Sequence, residues 1–185
     1  MFIQTEETPN PQTLKFIPEK SVLSEDLGIR SLEFKRSQDA AVSPLAKRLL
    51  FVEGIEGVFF SVDYISITKH ESFDWYVLKP VILGLLMEHF INGLPIYTGN
   101  VLEVVEESDP IIKQIREIID TRVRPSVAMD GGDITFESFK DGIVYLKLQG
   151  ACSGCPSSTA TLKSGIENML KYYVPEVQEV CSYAE

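Results

Sequence analysis

The chain has 185 residues, 44% hydrophobic and 24% charged, a balance ordinary for a folded globular protein with one domain or two small ones. Its net charge is −10, and both halves are acidic: nine basic against sixteen acidic side chains in residues 1–108, eight against eleven in 109–185. Nucleic acid and anionic membrane surfaces are therefore disfavoured as partners, and no apolar run reaches a membrane span, because Lys79, Pro80 and Gly84 interrupt residues 77–87.

The first residues, Met1-Phe-Ile-Gln-Thr-Glu-Glu7, have neither the basic start and apolar stretch of a signal peptide nor the arginines of a transit peptide. The expected setting is a bacterial cytoplasm, or an organellar matrix if a presequence has been removed. Residues 2–6 and 13–17 read as short strands around the turn cluster Thr8-Pro-Asn-Pro11. A polar, poorly patterned stretch follows over 21–41. Ser43-Pro44 then opens a helix with Leu45, Leu49 and Leu50 on its apolar face, ending near Gly54. Residues 57–61 and 64–69 are β-rich runs joined through Val62-Asp63, a hairpin pattern. Asp74 suits the N-cap of a helix over 75–91, closed by Asn92-Gly93, with Pro80 in or near its first turn. These elements make residues 1–99 a ββαββα domain.

Residues 100–108 read as an acidic linker, with some β character at 101–105. Asp109-Pro110 caps a helix whose stripe is Ile111, Ile112, Ile115, Ile118 and Ile119, core by default. Arg122-Val-Arg-Pro125 is expected to end it, since the residue before proline avoids the α region. Residues 133–139 and 143–149 alternate across Lys140-Asp-Gly142, a hairpin signal. An amphipathic helix follows with Leu162, Ile166, Met169 and Leu170 on one face, then a last strand around 177–181. Residues 109–185 are thus αββαβ. The chain is read as α+β, two small α/β sandwich domains without an internal repeat.

Between the second strand of that hairpin and its helix lies Leu148-Gln-Gly-Ala-Cys-Ser-Gly-Cys-Pro-Ser-Ser-Thr159. Cys152 and Cys155 are separated by two small residues, and Pro156, Ser157 and Ser158 favour a helix start. Both sulfurs should lie at or just before a helix N-terminus, where unpaired N–H groups and the helix dipole stabilise a thiolate. Three readings of the pair compete. It supplies two ligands to a zinc ion or an iron–sulfur cluster; it is the dithiol of a thiol–disulfide oxidoreductase; or its cysteines are small buried residues. A metal centre normally takes four protein ligands. His70 and His89 are far away in sequence, so the first reading draws the missing ligands from a second copy of the chain, on a two-fold axis. The second is weakened by position, because thioredoxin-type motifs follow the first strand of a βαβ unit. Spacing alone leaves the choice open.

The surrounding residues carry a resemblance. Arg124-Pro-Ser-Val-Ala-Met-Asp-Gly-Gly-Asp-Ile134, Gly150-Ala-Cys-Ser-Gly-Cys-Pro-Ser-Ser158, Thr161-Leu-Lys-Ser-Gly-Ile-Glu-Asn-Met-Leu170 and Val174-Pro-Glu-Val177, in that order, look like the NifU-like (Nfu) iron–sulfur domain. Phe2-Ile-Gln-Thr-Glu6, Thr8-Pro-Asn-Pro11 and Thr13-Leu-Lys-Phe16 resemble the Nfu N-terminal domain. The resemblance implies a scaffold and carrier, not an enzyme. It would hold a [4Fe-4S] cluster, with [2Fe-2S] as the alternative nuclearity, and pass it to apo-proteins. Cys152 and Cys155 match the family's ligands, two from each subunit, so the cluster bridges a homodimer. Clients and upstream assembly factors are the implied partners, and the N-terminal domain is assigned to recognising them or to tuning the site. Cys181 lies outside the motif and is given no role.

Other residues read as structural. The glycines of Asp130-Gly-Gly-Asp133 permit positive φ at a turn into a strand, and its aspartates satisfy local N–H groups. Arg122 and Arg124 read as ordinary helix-end arginines. Phe73, Trp75, Tyr76 and Phe90 read as core. No nucleophile–base pair and no phosphate-binding glycine loop is found.

Overall fold

A computed structural model describes residues 1–24, 28–36, 40–99, 109–154 and 156–183. The chain divides into two compact units, Met1–Val104 and Val105–Glu185. The stretch 100–108, expected to be a linker with some β character, lies outside the described residues.

The N-terminal unit holds β1 (Ile3–Glu7), β2 (Thr13–Pro18), β3 (Ser31–Lys35), α1 (Pro44–Phe51), β4 (Ile55–Ser61), β5 (Ile65–Lys69) and α2 (Trp75–Ile91). Its sheet is antiparallel in the order β1-β2-β5-β4-β3. The ββαββα elements all appear, with β3 added at one edge from the stretch that seemed unpatterned. Its sequence is short and largely polar, and Phe34 is its one buried side chain. Pairing with β4, Leu32 to Phe60 and Phe34 to Val58, is what makes it a strand. The caps behave as their chemistry requires. The Ser43 hydroxyl accepts from the Ala46 N–H at 3.2 Å and Asp74 from the Tyr76 N–H at 2.8 Å. Phe16, Leu45, Leu49, Phe60, Ile65, Ile67, Ile82 and Leu86 are fully buried in one core. The four aromatics read as core divide: Phe90 is buried, and Phe73 and Trp75 pack against the core, but Tyr76 is 88% exposed. The reason is helical phase, since Leu78, Ile82, Leu86 and Phe90 define the inward face and position 76 falls outside it.

The C-terminal unit holds α3 (Pro110–Ile118), a π-helical turn (Ile119–Val123), α4 (Arg124–Met129), β6 (Gly132–Lys140), β7 (Ile143–Gly150), a 3-10 turn (Ala151–Gly154), α5 (Pro156–Tyr173) and β8 (Glu179–Ser182). This is the expected αββαβ order, with one correction at Arg122-Val-Arg-Pro125. The helix does not stop there but continues to Met129. A proline ring in an α-helix clashes with the carbonyl four residues back. Here the turn before Pro125 is widened, with the Arg124 N–H donating to the Ile119 carbonyl five residues back, and the chain passes through. Strands β6 and β7 pair antiparallel through Asp141-Gly142, whose φ values of 51° and 79° are those of a type I′ turn. Strand β8 joins β7 in parallel. Ile115 and Ile118 of α3, Ile119 of the π-helical turn, Ile166 and Leu170 of α5, and Val180 of β8 belong to a second core.

Candidate functional site

Cys152 sits in the 3-10 turn that links the end of β7 to the start of α5, and it is 5% exposed. The turn is formed locally. Gly150 takes φ 64°, reversing the chain as the strand ends, and the Ser153 hydroxyl donates to the Gly150 carbonyl at 2.9 Å. The opposite wall is the start of β6. The Ala151 N–H donates to the Gly131 carbonyl at 3.2 Å, and Gly132 stands directly across from Gly150 in the ladder. A Cβ added to Gly132 would lie 2.7 Å from the Cys152 sulfur and 2.7 Å from the Gln149 carbonyl oxygen. The thiol therefore occupies the space that any other residue at 132 would fill.

The two glycines of the Asp130-Gly-Gly-Asp133 motif have different reasons. Gly131 has φ 79°, the turn conformation expected of it. Gly132 is needed for clearance, and the sequence carries no local signal of that, because the side chain it must avoid is twenty residues away. Asp133, 5% exposed, accepts from the Ile134 N–H at 2.8 Å, as the structural reading required, and from the Arg124 Nε at 2.8 Å. Arg124 also donates to the Ile134 carbonyl at 3.0 Å and pairs with Asp120 at 2.7 Å. It is thus no loose helix-end charge: it ties the widened helix to the strand that begins at the thiol. Arg122 lies over the Tyr173 ring at 4.7 Å.

Cys155 lies outside the described residues. Helix α5 begins at Pro156, so Cys152 stands in the turn immediately before a helix N-terminus, as the CxxC pattern anticipated. Cys181 is in another environment. Its sulfur donates to a Glu179 carboxylate oxygen at 3.4 Å, and burial followed by that bond pushes its thiol above the ordinary value. That is the reverse of thiolate activation. Among the described residues, no group of three or more His, Cys, Asp or Glu side chains gathers as a metal site.

The same two segments are matched by family models. Residues 115–181 match the NifU-like domain, and residues 3–93 match the N-terminal domain of the scaffold protein Nfu/NifU. The human protein called "NFU1 iron-sulfur cluster scaffold homolog, mitochondrial" is 49% identical over 184 residues, covering 97% of this chain and 71% of its own. This chain belongs to the Nfu/NifU family. The Drosophila sechellia protein of the same name is 46% identical over 184 residues, with 64% of its length spanned. The chain thus spans roughly two thirds of these Nfu relatives. Among solved structures, a NifU-like protein from Saccharomyces cerevisiae is 26% identical, covers 54% of this chain and 87% of its own, and has a TM-score of 0.49. No helix among the described residues is long and apolar enough to cross a membrane.

Proposed function

We propose that this protein is a scaffold and carrier of iron–sulfur clusters, holding its cargo on Cys152 and Cys155 and delivering it to apo-proteins. The observation that carries the reading is the built position of Cys152, with Gly132 cleared of a side chain to admit its sulfur, in a chain whose relatives are named as iron–sulfur cluster scaffolds. The donor set fits such a cargo. Thiolates are the ligands of iron–sulfur clusters, and four are normally required. One chain offers two in the motif, which suits a cluster bridging two copies of the chain, and the family resemblance implies [4Fe-4S], with [2Fe-2S] as the alternative nuclearity.

A bridging position suits delivery. Each iron–cysteine bond is released by exchange for a client thiolate, and exchange needs access from outside the chain. The N–H groups at the start of α5 offset part of the cargo's negative charge without a fixed protein cation. The arrangement is that of a carrier, with Arg124 and Asp133 holding the site's frame. The upstream donor of iron and sulfide and the receiving apo-proteins are its partners. A mitochondrial or comparable organellar matrix is the setting, after the naming of the relatives.

The test is iron and acid-labile sulfide per chain after anaerobic reconstitution, read with the visible spectrum. Two irons and two sulfides per chain, with broad absorption near ~400 nm, are expected of one four-iron cluster per two chains. Cys152→Ser and Cys155→Ser should each abolish loading while the far-ultraviolet circular dichroism stays that of the parent. A colourless protein with a reversible dithiol, or full loading of either variant, overturns the reading.

A further inference from the structure

Strand β1 is one edge of the five-stranded sheet, with β2 on its inner side and no strand on its outer side among the described residues. The backbone N–H and C=O groups along such an edge are a template on which another extended chain can pair. Exposed edges are commonly blunted by lysine or proline, and Ile3-Gln-Thr-Glu-Glu7 carries neither.

Beside this edge lies a hollow of about 910 Å³. The strand register sets one of its walls. Thr5 stands opposite Phe16 and Glu7 opposite Leu14, so both share the sheet face that bears those two buried side chains. Trp75, Tyr76, Lys79 and Pro80, from the first turns of α2, line the hollow from the helix side. Trp75 is fixed there, its indole N–H donating to the Pro11 carbonyl at 3.1 Å. Tyr76 is 88% exposed. Among the described residues, the side chains of Glu7 and Lys79 form no ion pair or hydrogen bond. A strand added to β1 sends alternate side chains to this same face, and so into the hollow.

We propose that β1 takes up an extended peptide segment of a partner protein as a further strand, every second side chain of which enters the hollow between β1 and the start of α2. The lining states the chemistry of that segment. A basic residue lies across from Glu7, since opposite charges facing each other across a ladder stabilise the pairing. An acidic residue answers Lys79, and an apolar one lies against Trp75 and Tyr76, aromatic rings being the usual anchors of a bound chain. A second copy of this chain does not suit the edge. Residues 1–108 carry sixteen acidic side chains against nine basic, and β1 itself has two glutamates and no base. The site stands independently of the CxxC reading. Where both hold, a segment of a donor or receiver of the cargo is held by the N-terminal unit while the thiols handle the exchange.

The probe is a phage-displayed library of random peptides of about nine residues, a length that fills a strand, panned on the full-length apo chain. Enriched sequences should alternate, with apolar and charged side chains at every second position and both a basic and an acidic residue among them. The leading sequence, made as a free peptide, should bind in titration calorimetry. Methylating its amide nitrogens one at a time should abolish binding at alternate positions and spare those between, the signature of a strand paired along one edge. Tyr76→Ala should weaken binding about tenfold at an unchanged melting temperature, the ring being exposed in the free chain. Glu7→Lys should also weaken it about tenfold, and a peptide with glutamate in place of its basic residue should recover the loss. A library without enrichment overturns the proposal, as does methylation sensitivity without alternation. A binder indifferent to both Tyr76→Ala and Glu7→Lys, or a chain whose β1 pairs with a second copy and shuts the peptide out, overturns it as well. Iron loading is measured separately, so a failure there leaves the peptide result standing and the converse holds too.

Discussion

In the N-terminal unit five strands and two helices bury aliphatic and aromatic side chains in one core. In the C-terminal unit three strands carry a core that takes in Cys152, and an arginine–aspartate clamp ties the helix after a widened turn to the start of β6. Glycine marks the difference. Gly84 in the first unit has open space around it, and Gly132 in the second is pressed against a sulfur and a carbonyl. The first position has room for a side chain, whereas the second has none.

The strongest way to break this comparison is to remove the clamp. Arg124→Ala strips the guanidinium from Asp133, a carboxylate only 7% exposed. Breaking a buried pair from one side leaves the other charge uncompensated, and a loss of about 3 kcal/mol is expected. Urea denaturation should show it in the C-terminal unit and leave the N-terminal transition where it was. If both transitions shift together, the two units are not independent in stability.

Next in size is Gly132→Ala. The added methyl would meet the Cys152 sulfur and a backbone carbonyl that cannot turn aside. Overpacking of this kind costs about 2 kcal/mol, and iron loading should fall with it. The matching substitution in the other unit, Gly84→Ala, should instead stabilise by about 0.5–1 kcal/mol, since alanine is the better helix former and nothing stands in its way. Opposite signs sharpen the comparison, and equal signs in the two melting curves would erase it.

The smallest effect concerns pH and belongs to the N-terminal unit. His89 is fully buried, and neither ring nitrogen has a hydrogen-bond partner among the described residues. Burial, and then the nearby Arg48 charge, hold its imidazole below the ordinary 6.5, and the Leu94 and Pro95 carbonyls offset only part of this. The folded state therefore keeps the ring neutral at a pH where the unfolded chain takes up a proton. The stability contributed by the neutral ring is fully present above about pH 6.5 and declines as pH falls from there toward the folded value. The N-terminal transition should therefore weaken as pH falls below about 6.5. His89→Leu should flatten that slope, and an unchanged slope would assign it to the carboxylates.

Much of this was legible in the residues. The capping pairs at Ser43-Pro44, Asp74 and Asp109-Pro110, the Asp141-Gly142 hairpin and the isoleucine stripe were each visible because their causes are local: a side chain two or three positions from the N–H it caps, or a period matching one backbone geometry. The position of Cys152 just before a helix was visible for the same reason. Strand β3 was hidden, since its few apolar residues become a strand only by pairing with β4. The passage of the helix through Pro125 was hidden too, because the proline rule assumes an α-helical turn and the chain takes a wider one.

What the sequence by itself determined is the order of most elements and the place of Cys152 just before a helix, both set by neighbours within a few residues. Only the tertiary structure decided why Gly132 is glycine, what Arg124 holds and which face of α2 enters the core. Each of these depends on groups that the fold brings together from distant positions, and no local pattern records a distance through space.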